Sequence, residues 1–165
     1  MLSYVIAPCD RCEFHMDNNM LEFEVNEFIE SGANPQALNS LLQRCMDDGG
    51  NKAMSYVSRL FEDDYGGTTY KWDLKEPAGF ALLYWKQAGL DELARAAGQS
   101  PRSSNTNIAF DILSSAASGE VSTMLSDHWW GDLKKRVTSS GGLSVEMQHH
   151  ARRTLVELVL RARDE

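Results

Sequence analysis

The chain has 165 residues, of which 42% are hydrophobic and 24% are charged, and its formal net charge is −8 at pH 7. This length predicts one domain over residues 1–165, with a hydrophobic core of its own. We recognise no signal peptide and no run of 18 apolar residues, so we expect neither secretion nor a membrane span. Three cysteines argue against a disulfide framework and favour a cytoplasmic protein.

The excess of negative over positive charge lies entirely in the first half of the chain. Residues 1–82 hold 6 Lys+Arg and 14 Asp+Glu, whereas residues 83–165 hold 10 of each. A field of this sign repels nucleic acid and attracts basic surfaces. The alternative interpretation is that these acids are ordinary water-exposed residues on the outer faces of helices and bind no partner.

The N-terminal residues precede the first clear helical pattern. Met1–Pro8 is apolar, and we favour a short extended arm over a strand because no partner strand is evident. Residues 9–19 look polar and irregular. From about Asn19, apolar residues recur at helical spacing (Leu21, Val25, Phe28 and Ile29), and Gly32 is the predicted end of this helix.

Two further helices follow at once. Asn34 is a suitable N-cap with Pro35 at the first helical position, and residues 47–50 end that second helix. Its apolar stripe is Leu38, Leu41, Leu42 and Cys45. The third helix has Met54, Val57, Leu60 and Phe61 on one face and ends near residues 65–67, before an extended connection at residues 68–73.

A nearly all-apolar stretch, residues 76–90, predicts a central buried helix against which the others pack. Pro77 fits its first turn and Gly89 its end. Asp91 then caps a short helix through residue 97.

The remaining stretches continue the helical pattern. Residues 106–119 and 121–139 predict two helices, with Ile108, Ile112 and Leu113 in the first and Leu133 and Val137 in the second. Ser144 caps the last helix, whose apolar stripe comprises Leu143, Met147, Ala151, Leu155, Leu158, Val159 and Ala162. The predicted fold class is therefore all-α. We expect a compact bundle of about seven helices, with stacked helical hairpins as a variant, behind the N-terminal arm.

Cys9, Cys12 and His15 form the one motif-like cluster. Two thiols two residues apart and a nearby histidine suit Zn²⁺, but Cys45 or His128 would have to supply the fourth ligand. The alternatives are ordinary thiols without a bound metal and a redox-active pair. Apart from this zinc hypothesis, we expect no cofactor.

Motifs for catalysis and for nucleic-acid binding are weak or missing. We find no phosphate-binding glycine loop, no H-E-x-x-H and no G-x-S-x-G, so we predict no enzyme. Lys134-Lys-Arg136 and Arg152-Arg153 are the only basic clusters, and the net charge of −8 argues against a nucleic-acid partner.

Because no motif indicates catalysis or nucleic-acid binding and the first half of the chain is acidic, we predict a non-enzymatic inhibitor that binds a basic protein. An example is a bacterial immunity protein or antitoxin that neutralises a toxin, such as a nuclease. The alternative is a small zinc-stabilised structural or regulatory module. The residues expected to bind the partner form two acidic regions, Asp17, Glu22, Glu24, Glu27 and Glu30 in the first and Asp47, Asp48, Glu62, Asp63 and Asp64 in the second.

Overall fold

The fold is built from helices throughout the described part of the chain. A computed structural model describes the backbone of residues 10–31, 34–65, 71–99, 103–120, 127–139 and 143–163, and the side chains in these ranges except at 10–19, 71–72, 127–131 and 139. These residues form eight α-helices and one four-residue 3₁₀ helix, with no strand among them. The α-helices are α1 (Asp10–Glu30), α2 (Pro35–Asp48), α3 (Asn51–Glu62), α4 (Lys71–Ala81), α5 (Gln87–Ala97), α6 (Ser104–Ser118), α7 (Asp127–Ser139) and α8 (Val145–Arg163).

The predicted all-α bundle is confirmed, and α4 lies at its centre. Helix α4 packs against α2, α3, α6 and α7. Helix α1 packs mainly on α2 and α3, whereas α8 packs mainly on α5 and α6. The first and last helices therefore cover different sides of the core.

Several local signals place the helices as expected. The Asn34 side chain accepts a hydrogen bond from the Gln36 N–H, and Gly49 ends α2 with a φ of 71°. The Met147 N–H donates to the Ser144 Oγ over 3.2 Å, which confirms the cap of α8. The predicted stripe of α2 is buried, and so are Leu133 and Val137 of α7.

The predicted central helix over residues 76–90 is wrong in its boundaries, although the burial of its first half is confirmed. Helix α4 already begins at Lys71, inside the predicted extended connection, so Pro77 lies within the helix. It ends at Ala81, and a 3₁₀ helix follows over Leu82–Trp85. Lys86, with a φ of 57°, separates this 3₁₀ helix from α5 and changes the direction of the chain.

Helix α5 corrects two other sequence predictions. It starts at Gln87, so Gly89 lies inside the helix and does not end it, and Asp91 is not its cap. Gly89 is buried because its backbone packs on the 3₁₀ helix. This contact is tertiary, which is why Gly89 is indistinguishable from a helix-ending glycine in the sequence.

The first and the last helix differ from the sequence predictions. Residues 10–19 are helical and extend α1, because polar residues of ordinary helix propensity continue a helix that a core anchors further along. The predicted N-terminal arm, Met1–Pro8, lies outside the described residues. In α8 the predicted stripe is buried at Met147, Ala151 and Leu158, but Ala162 is exposed and Val159 is 52% exposed.

A buried lysine joins the end of α3 to α4 and α6. The Lys75 Nζ donates to the Phe61 carbonyl over 3.0 Å and to the Asn105 Oδ1 over 2.8 Å. The Asn105 side chain donates in turn to the Glu62 carbonyl. The Lys75 and Asn105 side chains thus donate to the carbonyls of Phe61 and Glu62, the last two residues of α3, and the lysine charge suits the negative end of the helix dipole.

Candidate functional site

Helix α1 has a buried face and an exposed face of mixed character. Leu21, Val25 and Phe28 point into the core. On the opposite side lie Met20, Phe23, Glu27 and Glu30, which follow one another at intervals of three and four residues and therefore share one face. We call these four residues the α1 face. Met20 is 58% exposed and Phe23 is 65% exposed.

The carboxylates of this region differ in how they are held. None of the ion pairs among the described residues involves Glu22, Glu27 or Glu30, and all three side chains are exposed. The Glu24 carboxylate, by contrast, accepts from the Arg44 guanidinium of α2 over 2.5 Å. The side chain of Asp17 lies outside the described residues. Among the described side chains of α1, Glu22, Glu27 and Glu30 are therefore the acids that present uncompensated charge to solvent.

The Glu24–Arg44 ion pair lies between two cavities along the α1–α2 groove. One cavity, of about 280 Å³, is lined by two apolar side chains, three carboxylates and one guanidinium. The other, of about 240 Å³, lies towards the start of α2. The first cavity is lined by Met20, Leu21, Glu24, Arg44, Asp47 and Asp48, and the second includes Glu24, Glu27, Phe28 and Arg44. The groove thus joins Glu24 and Glu27 of the first acidic region to Asp47 and Asp48 of the second.

Asp47 and Asp48, at the end of α2, have partners inside the molecule. Asp47 forms an ion pair with Arg136 of α7. The Asp48 carboxylate accepts from the Gly50 N–H over 3.2 Å. Both residues therefore also support local structure.

The acids at the end of α3 are held in a similar way. Glu62 forms an ion pair with Arg95 of α5. The Asp63 carboxylate accepts from the Tyr65 N–H over 2.7 Å, whereas Asp64 is exposed. The Tyr65 ring meets the Phe28 ring of α1 edge-on, with ring centroids 6.3 Å apart. The acidic segment of α3 therefore lies beside the C-terminal half of α1.

The basic cluster of α7 faces α2. Besides its ion pair with Asp47, the Arg136 guanidinium donates to the Gln43 side chain over 2.9 Å. A polar cleft of about 640 Å³ between the two helices is lined by Asn39, Ser40, Gln43, Arg44, Asp132, Lys135 and Arg136. Arg152 belongs to α8, which packs on α5 and α6, and its Nε donates to the Ala117 carbonyl over 3.0 Å.

The metal-ligand hypothesis stays a prediction. Cys9 lies outside the described residues, and Cys12 and His15 belong to the backbone of α1, where their side chains are not described. Elsewhere in the described ranges, no group of three or more potential ligands could hold a metal ion. Cys45 is fully buried, and burial raises the pKa of its thiol to about 12. A thiol held neutral in the core is a poor candidate for the fourth zinc ligand.

One exposed face is absent from the sequence predictions. Val156, Val159 and Leu160 of α8 are each more than half exposed. This exposed face could have been predicted from the sequence, because its three apolar residues recur at i, i+3 and i+4 and so define a second stripe beside the buried one.

No helix in the described ranges is both long enough and apolar enough to cross a membrane. Comparison of the chain with protein-family models, with curated proteins and with solved structures finds no match.

Proposed function

We propose that the chain is a non-enzymatic inhibitor that binds a basic protein through the acidic and apolar surface of α1. The observation that carries this proposal is the composition of that surface. Exposed Met20 and Phe23 lie among Glu22, Glu27 and Glu30, which have no ion-pair partner among the described residues.

The two kinds of residue would contribute differently to a complex. Aromatic and methionine side chains are enriched at protein interfaces, and a few such anchors carry most of the binding free energy. Carboxylates around them would speed the encounter with a basic partner and select against acidic ones. An acidic helix without exposed apolar residues would be better explained as solvated surface.

The biological role follows by analogy with proteins of this kind. Carboxylates that replace phosphate groups could cover the basic active site of a nuclease and inhibit it. A bacterial immunity protein or antitoxin is the class we propose, with the toxin as partner.

The α1–α2 groove supplies a place for a basic side chain of the partner. The cavity between Met20 and Asp48 also contains Arg44, which already pairs with Glu24. The methylenes of a lysine or arginine could pack on Met20 while its charge meets Asp48, which has no ion pair among the described residues, and the exposed edge of Asp47. Asp47 and Asp48 of the second acidic region would take part here, next to the α1 face.

The ion pair of Glu24 with Arg44 determines which acids should be changed in the test. Reversing Glu24 would also repel Arg44 and disturb the packing of α1 on α2. The variant we propose therefore replaces Glu22, Glu27 and Glu30 with lysine and keeps Glu24. A matched control replaces the exposed acids Asp111, Glu120 and Glu146 with lysine, which changes the net charge equally.

The experiment begins with capture from the native host at low salt and identification of the partner by mass spectrometry. Binding of the purified partner to the wild-type chain and to both variants is then measured by calorimetry. We expect affinity to fall at least about tenfold for the α1 variant and to change little for the control. Equal affinities for all three proteins would refute the assignment of the α1 surface.

A further inference from the structure

Helix α8 has an exposed face that combines apolar and basic residues. Val156, Val159 and Leu160 are 58%, 52% and 52% exposed. Arg152 and Arg153 precede this apolar group by one helical turn and Arg163 follows it by one turn, so all six residues share one side of the helix. We call these six residues the α8 face.

The arginines of the α8 face lack carboxylate partners within the described ranges. None of the ion pairs there includes Arg152, Arg153 or Arg163. Of the three, only Arg152 forms a hydrogen bond within these ranges, to the Ala117 carbonyl at the end of α6. The face therefore presents positive charge around an exposed apolar centre.

The α1 face has the complementary composition. It places Met20 and Phe23 beside Glu27 and Glu30, so it presents negative charge around its own apolar pair. Contact between the two faces would bury both apolar groups and bring unpaired arginines to unpaired carboxylates. Complementary charge of this kind fixes the orientation of an interface.

We propose that copies of this chain associate head to tail, with the α8 face of one copy on the α1 face of the next. Within one copy, α1 packs mainly on α2 and α3 while α8 packs mainly on α5 and α6, so the two faces lie on different sides of the core. An interface between unlike surfaces leaves one of each free at the ends, so it produces a ring or an open chain. Binding of a basic partner to the α1 face would compete with this association.

A lipid surface is the other occupant that a basic, apolar helix face could have. The net charge of −8 opposes approach of the whole protein to an anionic membrane. The α1 face, in contrast, is part of the same molecule and is present at the same concentration as the α8 face. Two copies repel each other through the same net charge, but a second copy offers exposed carboxylates and an apolar pair that match the α8 face, so it is the occupant that the local composition favours.

The test uses the purified full chain alone, so its failure would leave the proposed inhibitor function untouched. Sedimentation velocity measures the mass distribution of the wild type at low and at high salt. The α1 double variant is Glu27→Lys with Glu30→Lys, and the α8 variant is Arg153→Glu with Arg163→Glu. Arg152 is kept because it also holds the end of α6. A fourth protein combines all four reversals and has the net charge of the wild type.

We expect salt-sensitive association of the wild type, at least about tenfold weaker association for each reversal alone, and recovery in the combined protein. Recovery by the combined protein would show that the two faces meet, and circular dichroism confirms that each variant is folded. A monomeric wild type at low salt would overturn the proposal, as would association that survives either reversal. Binding to anionic vesicles that is lost in the α8 variant, without self-association, would assign the α8 face to lipid instead.

Discussion

The backbone of Gly89, in α5, packs directly on the carbonyl group of Leu82, in the 3₁₀ helix. A Cβ atom added to Gly89 would lie 1.7 Å from the Leu82 oxygen and 2.6 Å from its carbon. Both sides of this contact are backbone, so no side-chain rotation could relieve a clash. The close approach holds α5 against the end of the central segment.

Gly89→Ala should therefore destabilise the protein strongly. We expect the free energy of unfolding to fall by more than about 3 kcal/mol, because the backbone of one element must move away from the other. Urea unfolding followed by circular dichroism measures this change, and failure to fold would agree with it.

Gly98→Ala is the matched control for this change. Gly98 is exposed at the end of α5, and its added Cβ would be no closer than 3.4 Å to any neighbour. We expect a change within about 0.5 kcal/mol. Similar effects of the two substitutions would contradict the close contact at Gly89.

Lys86 adopts a backbone conformation that suits glycine. Its φ of 57° and ψ of −125° lie in a region that L-residues rarely occupy. We expect Lys86→Gly to raise the free energy of unfolding by about 1 kcal/mol, since relief of strain outweighs the entropy lost by glycine on folding. The same substitution at exposed Lys52, in the first turn of α3, should lower it, and chemical denaturation of both variants checks the opposite signs. A loss of stability at position 86 would exclude strain at Lys86.

The helices that the sequence predicts well are those whose signals are local. The start, the end and the buried face of α2 follow from its own residues alone, namely Asn34, Gly49 and the stripe from Leu38 to Cys45. The break at Lys86 accompanies the packing of Gly89 on Leu82, a contact between residues seven positions apart in two elements. An apolar run without alternation carries no sign of such a break.

The same distinction applies to the candidate site. The acidic character of α1 and its buried stripe could be read from residues 21–30. Which acids remain unpaired could not, because the ion pairs of Glu24, Asp47 and Glu62 join residues that lie 20 to 89 positions apart. Charge counted along a sequence overstates the charge that a partner meets.

The buried thiol of Cys45 predicts a loss of stability at alkaline pH. Burial, aided by the nearby Asp48 charge, raises the pKa of this thiol from 9.0 to about 12. Above pH 9 the unfolded chain loses the proton while the folded chain keeps it, so stability is lost as pH rises between these values. The contribution of this group is up to about 1.4 kcal/mol per pH unit.

Urea unfolding of the wild type and of a Cys45→Ala variant at pH 8, 9, 10 and 11 tests this contribution. The variant is expected to be less stable at pH 8, because it leaves a cavity. Its stability should nevertheless fall less steeply with pH than that of the wild type. Parallel pH profiles for the two proteins would show that Cys45 does not ionise on unfolding in this range.

The most direct measurement of the central claim compares partner binding by the wild type, the Glu22, Glu27 and Glu30 lysine variant, and the control at Asp111, Glu120 and Glu146. We expect a 1:1 complex with one basic protein that is weakened by salt and by the substitutions of the α1 variant but not by those of the control. Inhibition of that partner should decline in parallel. A folded α1 variant that binds and inhibits the partner as well as the wild type does would contradict the claim.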